Sequence, residues 1–322
     1  MEALKDLFLK EIKFITDLKI RASYGTTGNQ NGIGDFAAQG LWSGGSGYPD
    51  NTAGDRPGIA PQQLANPDLK WEKTQQINLG VDLGLLNNRI NIEFNVYSKY
   101  TTDNLLQLPV PSITGFSNYY SNAGEISNKG FELSINSVNF KSRDFTWQTS
   151  LNISKNINKV EKLPVPINQY NRDWIRIQEG YSLYSFWLYR QLSVDPQTGN
   201  AIFEDLNKDG VINVADRQIL GNASPDLYGG LTNNFSYKGF DLGILFAYQS
   251  GNKVFNLNRF FGEGGGTRDA NRILFASQLN RWQKPGDITD VPRLTAFGNN
   301  YTLEQNDRFL EDGSFLKLRS IS

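Results

Sequence analysis

The sharpest chemical pattern in the chain is Asp205-Leu206-Asn207-Lys208-Asp209-Gly210-Val211-Ile212-Asn213-Val214-Ala215-Asp216. Counted from Asp205, side-chain oxygens fall at the first, third, fifth, ninth and twelfth positions, Gly210 at the sixth supplies a sharp turn, and Val211 offers its carbonyl. That order matches a calcium loop, in which hard oxygen ligands wrap a hard cation. The last ligand is Asp216 where the template has Glu, so bidentate closure needs a tighter loop. The preceding Gly199-Asn200-Ala201-Ile202-Phe203 does not read as a helix, which argues against a helix–loop–helix sensor. Two readings stand: a structural Ca2+ held by Asp205, Asn207, Asp209, Val211 and Asp216, or an Asx-rich turn that closes on its own backbone. No other cofactor is expected.

Six aromatic residues outside the regular strands, Trp42, Tyr48, Tyr119, Tyr120, Trp174 and Trp187, could stack on sugar rings, contact a lid protein, or simply pack. Glu72, Asp82, Glu93, Glu125 and Glu132 are spread along different strands, so a wet wall explains them better than a hydrolytic carboxylate pair. Gly262, Gly264, Gly265 and Gly266 follow no strand–helix pattern and form no phosphate cradle. The chain has no histidine and no cysteine, so imidazole bases, thiolate nucleophiles, disulfides and His-ligated zinc are all excluded. An enzyme is not expected. A net charge of −1 gives no basic surface for nucleic acid.

The elements that must position these groups are strands. From Gln75 to Leu83, Ile77, Leu79, Val81 and Leu83 alternate with polar residues and glycine; after Asn87-Asn88, Ile90, Ile92, Phe94 and Val96 do the same. Period two is the mark of a strand with two unlike faces, and Asn-Asn accepts the positive φ of a tight reversal. Each strand has roughly ten residues, enough to cross a bilayer at a tilt. Similar strands are expected at Leu18–Tyr24, Lys129–Val138, Phe145–Ile153, Leu231–Phe235, Phe240–Tyr248 and from Phe315 onward. Residues 1–17 are ambiguous, with Leu4, Leu7, Phe8, Ile12 and Ile15 at roughly helical spacing, and residues 1–20 do not read as a signal peptide. No apolar run approaches the length of a membrane-spanning helix, and the mean hydropathy of −0.46 suits a barrel whose strands are half polar.

Connections near 85–88, 139–143 and 238–239 are short, whereas 25–70, 101–127, 157–226 and 251–310 are long. An up-and-down barrel with tight turns at one rim and long loops at the other gives this alternation. Aromatics near strand ends, such as Trp71, Tyr97, Tyr100 and Tyr237, fit interfacial girdles. The rival reading is a soluble, calcium-stabilised, β-rich carbohydrate-binding protein, in which Ile77, Leu79, Ile92, Phe94, Leu133 and Leu242 interdigitate across a closed core instead of facing lipid.

The phrases L-K-I-R-A-S-Y-G-T-T-G-N-Q (18–30), N-P-D-L-K-W-E (66–72), N-A-G-E-I-S-N-K-G-F-E-L (122–133), D-L-N-K-D-G-V-I-N-V-A-D-R (205–217) and L-Y-G-G-L-T-N-N-F-S-Y-K-G-F-D-L (227–242) together resemble the C-terminal barrel of SusC/RagA-like TonB-dependent outer-membrane transporters. The resemblance implies an all-β fold, part of a 22-stranded antiparallel barrel with short periplasmic turns and long extracellular loops. It also implies import of oligosaccharides or peptides across the outer membrane of a Gram-negative bacterium, with a SusD-like surface lipoprotein over the loops and a TonB system as energy source. Residues 1–322 are then expected to be a single partial barrel domain of roughly eight strands, without plug, TonB box or final strands. Its open edges could not persist alone in lipid.

Overall fold

The structure, a computed structural model, describes residues 14–48, 56–116, 118–169, 172–263, 274–294 and 305–322. The helical spacing at Leu4–Ile12 and the glycines 264–266 lie outside the described residues. The chain starts with β1 (Ile15–Asn29) and a hairpin, β2 (Leu41–Tyr48) and β3 (Arg56–Gln63). It continues through β4 (Glu72–Leu85), β5 (Ile90–Pro109), β6 (Asn118–Lys141) and β7 (Phe145–Lys162). Short strands follow: β8 (Ile167–Gln169), β9 (Arg172–Ile177), β10 (Ser185–Leu188), β11 (Gln191–Val194), β12 (Ala201–Phe203) and β13 (Gln218–Asn222). Two long strands, β14 (Leu227–Tyr237) and β15 (Phe240–Ser250), lead to β16 (Lys253–Phe255), helix α1 (Leu257–Glu263), β17 (Leu310–Asp312) and β18 (Phe315–Ile321).

The principal sheet has eight strands in the order β1-β4-β5-β6-β7-β14-β15-β18, every neighbouring pair antiparallel. Its register aligns the period-two pattern across all of them. One rung runs Leu18, Leu83, Ile92, Ile135, Leu151, Leu231, Phe246, Leu318, apolar from edge to edge. The next on the same face runs Ile20, Val81, Phe94, Leu133, Ile153, Gly229, Tyr248, Leu316. Between them lies Lys19, Asp82, Glu93, Ser134, Asn152, Gly230, Ala247, Lys317, which points to the opposite face. The apolar face is uncovered: Ile20 is 72% exposed and Leu79 53%. β1 and β18 form the two edges of an open sheet.

The tight reversals are built as their residues demand. Leu86, Asn87 and Asn88 have φ of 54°, 57° and 60°, and Lys238-Gly239 has 47° and 88°, the left-handed pair of a two-residue hairpin turn. The long segments differ from expectation. Much of 101–127 is strand, because β5 runs to Pro109 and β6 starts at Asn118. Register shifts between Thr101 and Leu105 and at Glu125/Ile126 reset the side-chain alternation while pairing continues, which hides these extensions from a period-two reading. β1 and β7 likewise extend into the segments 25–70 and 157–226.

The excursions form a second body. β13-β10-β9-β8 make a four-stranded sheet in which β10 is wholly buried. Ile175, Phe186 and Leu188 form its core, with Trp174, Leu220, Phe255 and Leu310 packed against them. Phe309, fully buried, meets Phe260 edge-on at 5.4 Å. Among the described residues no helix is long and apolar enough to cross a membrane.

Candidate functional site

The 205–216 loop curls through Lys208 and Gly210, at φ of 59° and 80°. Asp205 accepts the backbone N–H groups of Lys208 at 2.7 Å and Gly210 at 2.8 Å, one on each carboxylate oxygen. Asn207 accepts from the Asp209 amide at 3.1 Å, and Asp209 from the Val211 amide at 2.7 Å. Asp216 is fully buried and accepts from the amides of Leu206 at 2.9 Å and Asn213 at 2.8 Å. With the Asn213 side chain it makes a reciprocal cap on the short 3-10 turn Val214–Asp216. The Val211 carbonyl accepts from Asn213 Nδ2 at 3.0 Å. Among the described residues no three His, Cys, Asp or Glu side chains gather into a group that could hold a metal ion. The loop thus closes through Asx turns onto its own backbone.

The six aromatics are scattered. Trp42, on β2, is 68% exposed, and Tyr48 ends that strand. Tyr119 and Tyr120 enter β6 opposite Leu108 and Gln107, and the Tyr120 hydroxyl accepts a 2.6 Å hydrogen bond from Gln107. Trp174 stacks on Phe255 at 5.3 Å. Trp187 is buried, donates its indole N–H to the Arg217 carbonyl at 3.0 Å and carries the Arg176 guanidinium 4.1 Å from its ring centroid. Protein already covers these last two rings.

Sequence reasoning missed two polar constellations. On the polar face of the principal sheet, Arg21 donates to Asp82 at 2.9 Å and to Asn95 at 3.0 Å. Beside this pair a hollow of about 500 Å³ is lined by Arg21, Asn78, Asn95, Tyr97, Lys99 and Glu132, among others. Their strand parity was the available signal. In the second body, Glu263 is buried and receives Arg308 at 2.7 Å, Arg259 at 3.0 Å and the Ser277 hydroxyl at 2.7 Å, while Arg259 also reaches Glu311 at 2.8 Å. Burial alone would push the Glu263 carboxyl up; the bonds from Arg259 and Ser277 and the two guanidinium charges outweigh it and hold it below the usual carboxylate range. Desolvation pulls Arg308 down from the usual guanidinium value. These partners are far apart in sequence, so no local pattern announced them.

An open antiparallel sheet with one lipid-type face and one polar wall, topped by a packed body of excursions, defines a segment of a large transmembrane β-barrel. A family model described as "TonB dependent receptor-like, beta-barrel" matches residues 12–200, and the chain belongs to that family. It is 34% identical over 345 residues to TonB-dependent receptor P3 of Formosa agariphila, covering 99% of this chain and 33% of that protein. It is 34% identical to TonB-dependent receptor SusC of Bacteroides thetaiotaomicron, over 77% of this chain and 26% of SusC. The solved structure of the RagAB peptide transporter superposes with a TM-score of 0.84 at 28% identity, covering 99% of this chain and 35% of that one. The chain thus spans about a third of the length of these first relatives.

Proposed function

We propose that this chain is part of a TonB-dependent importer in the outer membrane of a Gram-negative bacterium, with lipid against its apolar rungs and substrate moving past its polar wall. The observation that carries the reading is the pair of rungs that stay apolar, one glycine aside, across all eight strands with no covering element. A soluble sandwich would bury these residues against a second sheet, so the soluble carbohydrate-binding alternative is disfavoured. Substrates are oligosaccharides or peptides, and a SusD-like lipoprotein sits over the long excursions; the likeness to SusC and to the RagAB peptide transporter supports both statements. The role is transport, not catalysis. The test expresses the full-length protein in cells with and without a working TonB system. TonB-dependent uptake of a labelled oligosaccharide or peptide is expected, and uptake that persists without TonB would overturn the reading.

Calcium at 205–216 is a subsidiary proposal, resting on the calcium-loop spacing of Asp205, Asn207, Asp209, Val211 and Asp216. Calcium titration of the full-length protein should protect this loop from proteolysis, and Asp209→Ala should abolish the protection. Equal cleavage with calcium and with chelator would leave only the Asx-rich turn.

A further inference from the structure

Along β6 and β7 the outward apolar face ends in lysines. On β7, reading away from the short turn, Trp147, Leu151 and Ile153 are followed on the same face by Lys155, Ile157 and Lys159. On β6 the outward residues Ile135, Leu133 and Phe131 are followed by Lys129. The register sets Phe131 opposite Lys155, Ile157 opposite Lys129 and Ser127 opposite Lys159. Lys129 is therefore the diagonal neighbour of both Lys155 and Lys159, about 7–8 Å away across the strands. Trp147, stacked on Phe235 at 5.7 Å, marks the end of the apolar band nearest the short turn. Lys155, Ile157 and Lys159 lie eight, ten and twelve residues farther along. At about 3.4 Å per residue and a tilt of about 40°, they stand about 21, 26 and 31 Å above it. An apolar band is about 25 Å tall, so the lysines straddle its outer edge. Two carboxylates stand beyond them and are already engaged. Glu161 accepts from Lys159 at 2.7 Å and from the Ser127 hydroxyl at 2.6 Å, and Glu125 pairs with Lys162 at 3.5 Å. Lys129 and Lys155 make no ion pair among the described residues. Two neighbouring ammonium groups at the edge of a low-dielectric layer repel each other and call for an anion.

We propose that Lys129 and Lys155 bind the phosphate of one phosphorylated saccharolipid of the outer leaflet, of the lipid A type, seated against β5, β6 and β7. The phosphate neutralises both ammonium groups through charge-assisted hydrogen bonds, and Ser98, opposite Lys129 on β5, presents a hydroxyl to the same face. The acyl chains below it lie over Phe131, Phe94, Leu133 and Ile153, where Phe94 and Phe131 already meet at 6.1 Å. A zwitterionic phospholipid carries its own ammonium group beside its phosphate, so it neutralises the pair less well. A free phosphate ion lacks the chains that use the apolar face. The inference rests on the importer reading, which turns this rim toward the outer leaflet.

The test uses purified full-length protein in dodecyl maltoside, with bound lipid counted by native mass spectrometry. It is titrated with monophosphoryl lipid A, the same lipid dephosphorylated, phosphatidylethanolamine and inorganic phosphate. The wild type should hold one monophosphoryl lipid A at least about tenfold more tightly than either other lipid, and equimolar inorganic phosphate should not displace it. Lys129→Gln and Lys155→Gln together should weaken that binding about thirtyfold, whereas arginine at both positions should retain it. Lys73→Gln, which removes an outward lysine of β4 away from the pair, should change nothing. Heat-modifiable gel mobility establishes that each variant is folded. If the double variant does not fold, the wild type decides alone: equal affinity for the phosphorylated and dephosphorylated lipids overturns the proposal. Displacement by inorganic phosphate reduces the pair to an ion site, and an equal loss in Lys73→Gln reduces it to diffuse charge; either overturns the lipid site. TonB-dependent uptake is measured separately on the wild type. Uptake without lipid preference overturns the site and leaves the importer reading intact, whereas uptake that persists without TonB overturns that reading whatever the lipid result.

Discussion

The principal sheet and the body of excursions are made from one chain yet obey opposite rules. In the sheet, apolar side chains such as Ile20 and Leu79 are more than half exposed, and among the described residues no buried hydrophobic cluster stands behind them. In the excursions, Leu188 and Phe309 are completely buried, and even a carboxylate, Glu263, is taken out of water with two arginines. In the importer reading, the first region relies on a solvent outside the protein, the hydrocarbon of a bilayer, to satisfy its apolar face. The second makes its own dry interior. The same aromatic residue type therefore means different things in the two places: Phe94 is a lipid contact in the importer reading, and Phe309 is a core residue.

The sharpest way to break this comparison is Phe309→Ala. Removing a fully buried ring should cost about 3–5 kcal/mol of local stability. Protease sensitivity should rise across β8–β13 and α1, with heat-modifiable mobility of the full-length barrel unchanged. Failure of the whole barrel would show that the two regions fold as one unit.

On the sheet, Ile92→Lys or Phe94→Lys should impair assembly in the outer membrane by about 2–4 kcal/mol, whereas Asn91→Lys, on the opposite face, should be close to neutral. Equal tolerance on both faces would sink the bilayer assignment.

Acidity should separate the regions next. The Glu263 carboxyl is held below its ordinary value, so its contribution is present above the unfolded value of about 4.3 and is lost as pH falls through the lower folded value. Protease protection of the excursions should thus fade in acid before the strands are lost, and Glu263→Gln should flatten that pH dependence. Asp307 behaves oppositely: burial pushes its carboxyl up despite the Gln191 amide it accepts at 2.9 Å, so its ionisation opposes folding as pH rises. Asp307→Asn keeps an acceptor and should raise protection near neutral pH.

The smallest effect belongs to the turn at Lys238, whose φ of 47° strains a lysine more than it would an asparagine. Lys238→Asn should stabilise the β14–β15 hairpin by up to about 1 kcal/mol, read as a modest rise in the melting temperature of the assembled barrel.

Much was determined by the sequence alone. Period-two alternation located all eight strands of the principal sheet, and Asn87-Asn88 and Lys238-Gly239 marked its turns, because strand faces and tight reversals are local properties. The calcium-like spacing at 205–216 was equally plain, since loop ligands are consecutive. Tertiary structure decided what no local period can carry. Bulges near Thr101–Leu105 reset the side-chain alternation and so concealed how far β5 and β6 extend. Trp174 and Trp187 became packing residues only because Phe255 and Arg176, distant in sequence or on a neighbouring strand, came to cover them. The pairing of Glu263 with Arg308 likewise depends on chain segments tens of residues apart being brought together by core burial.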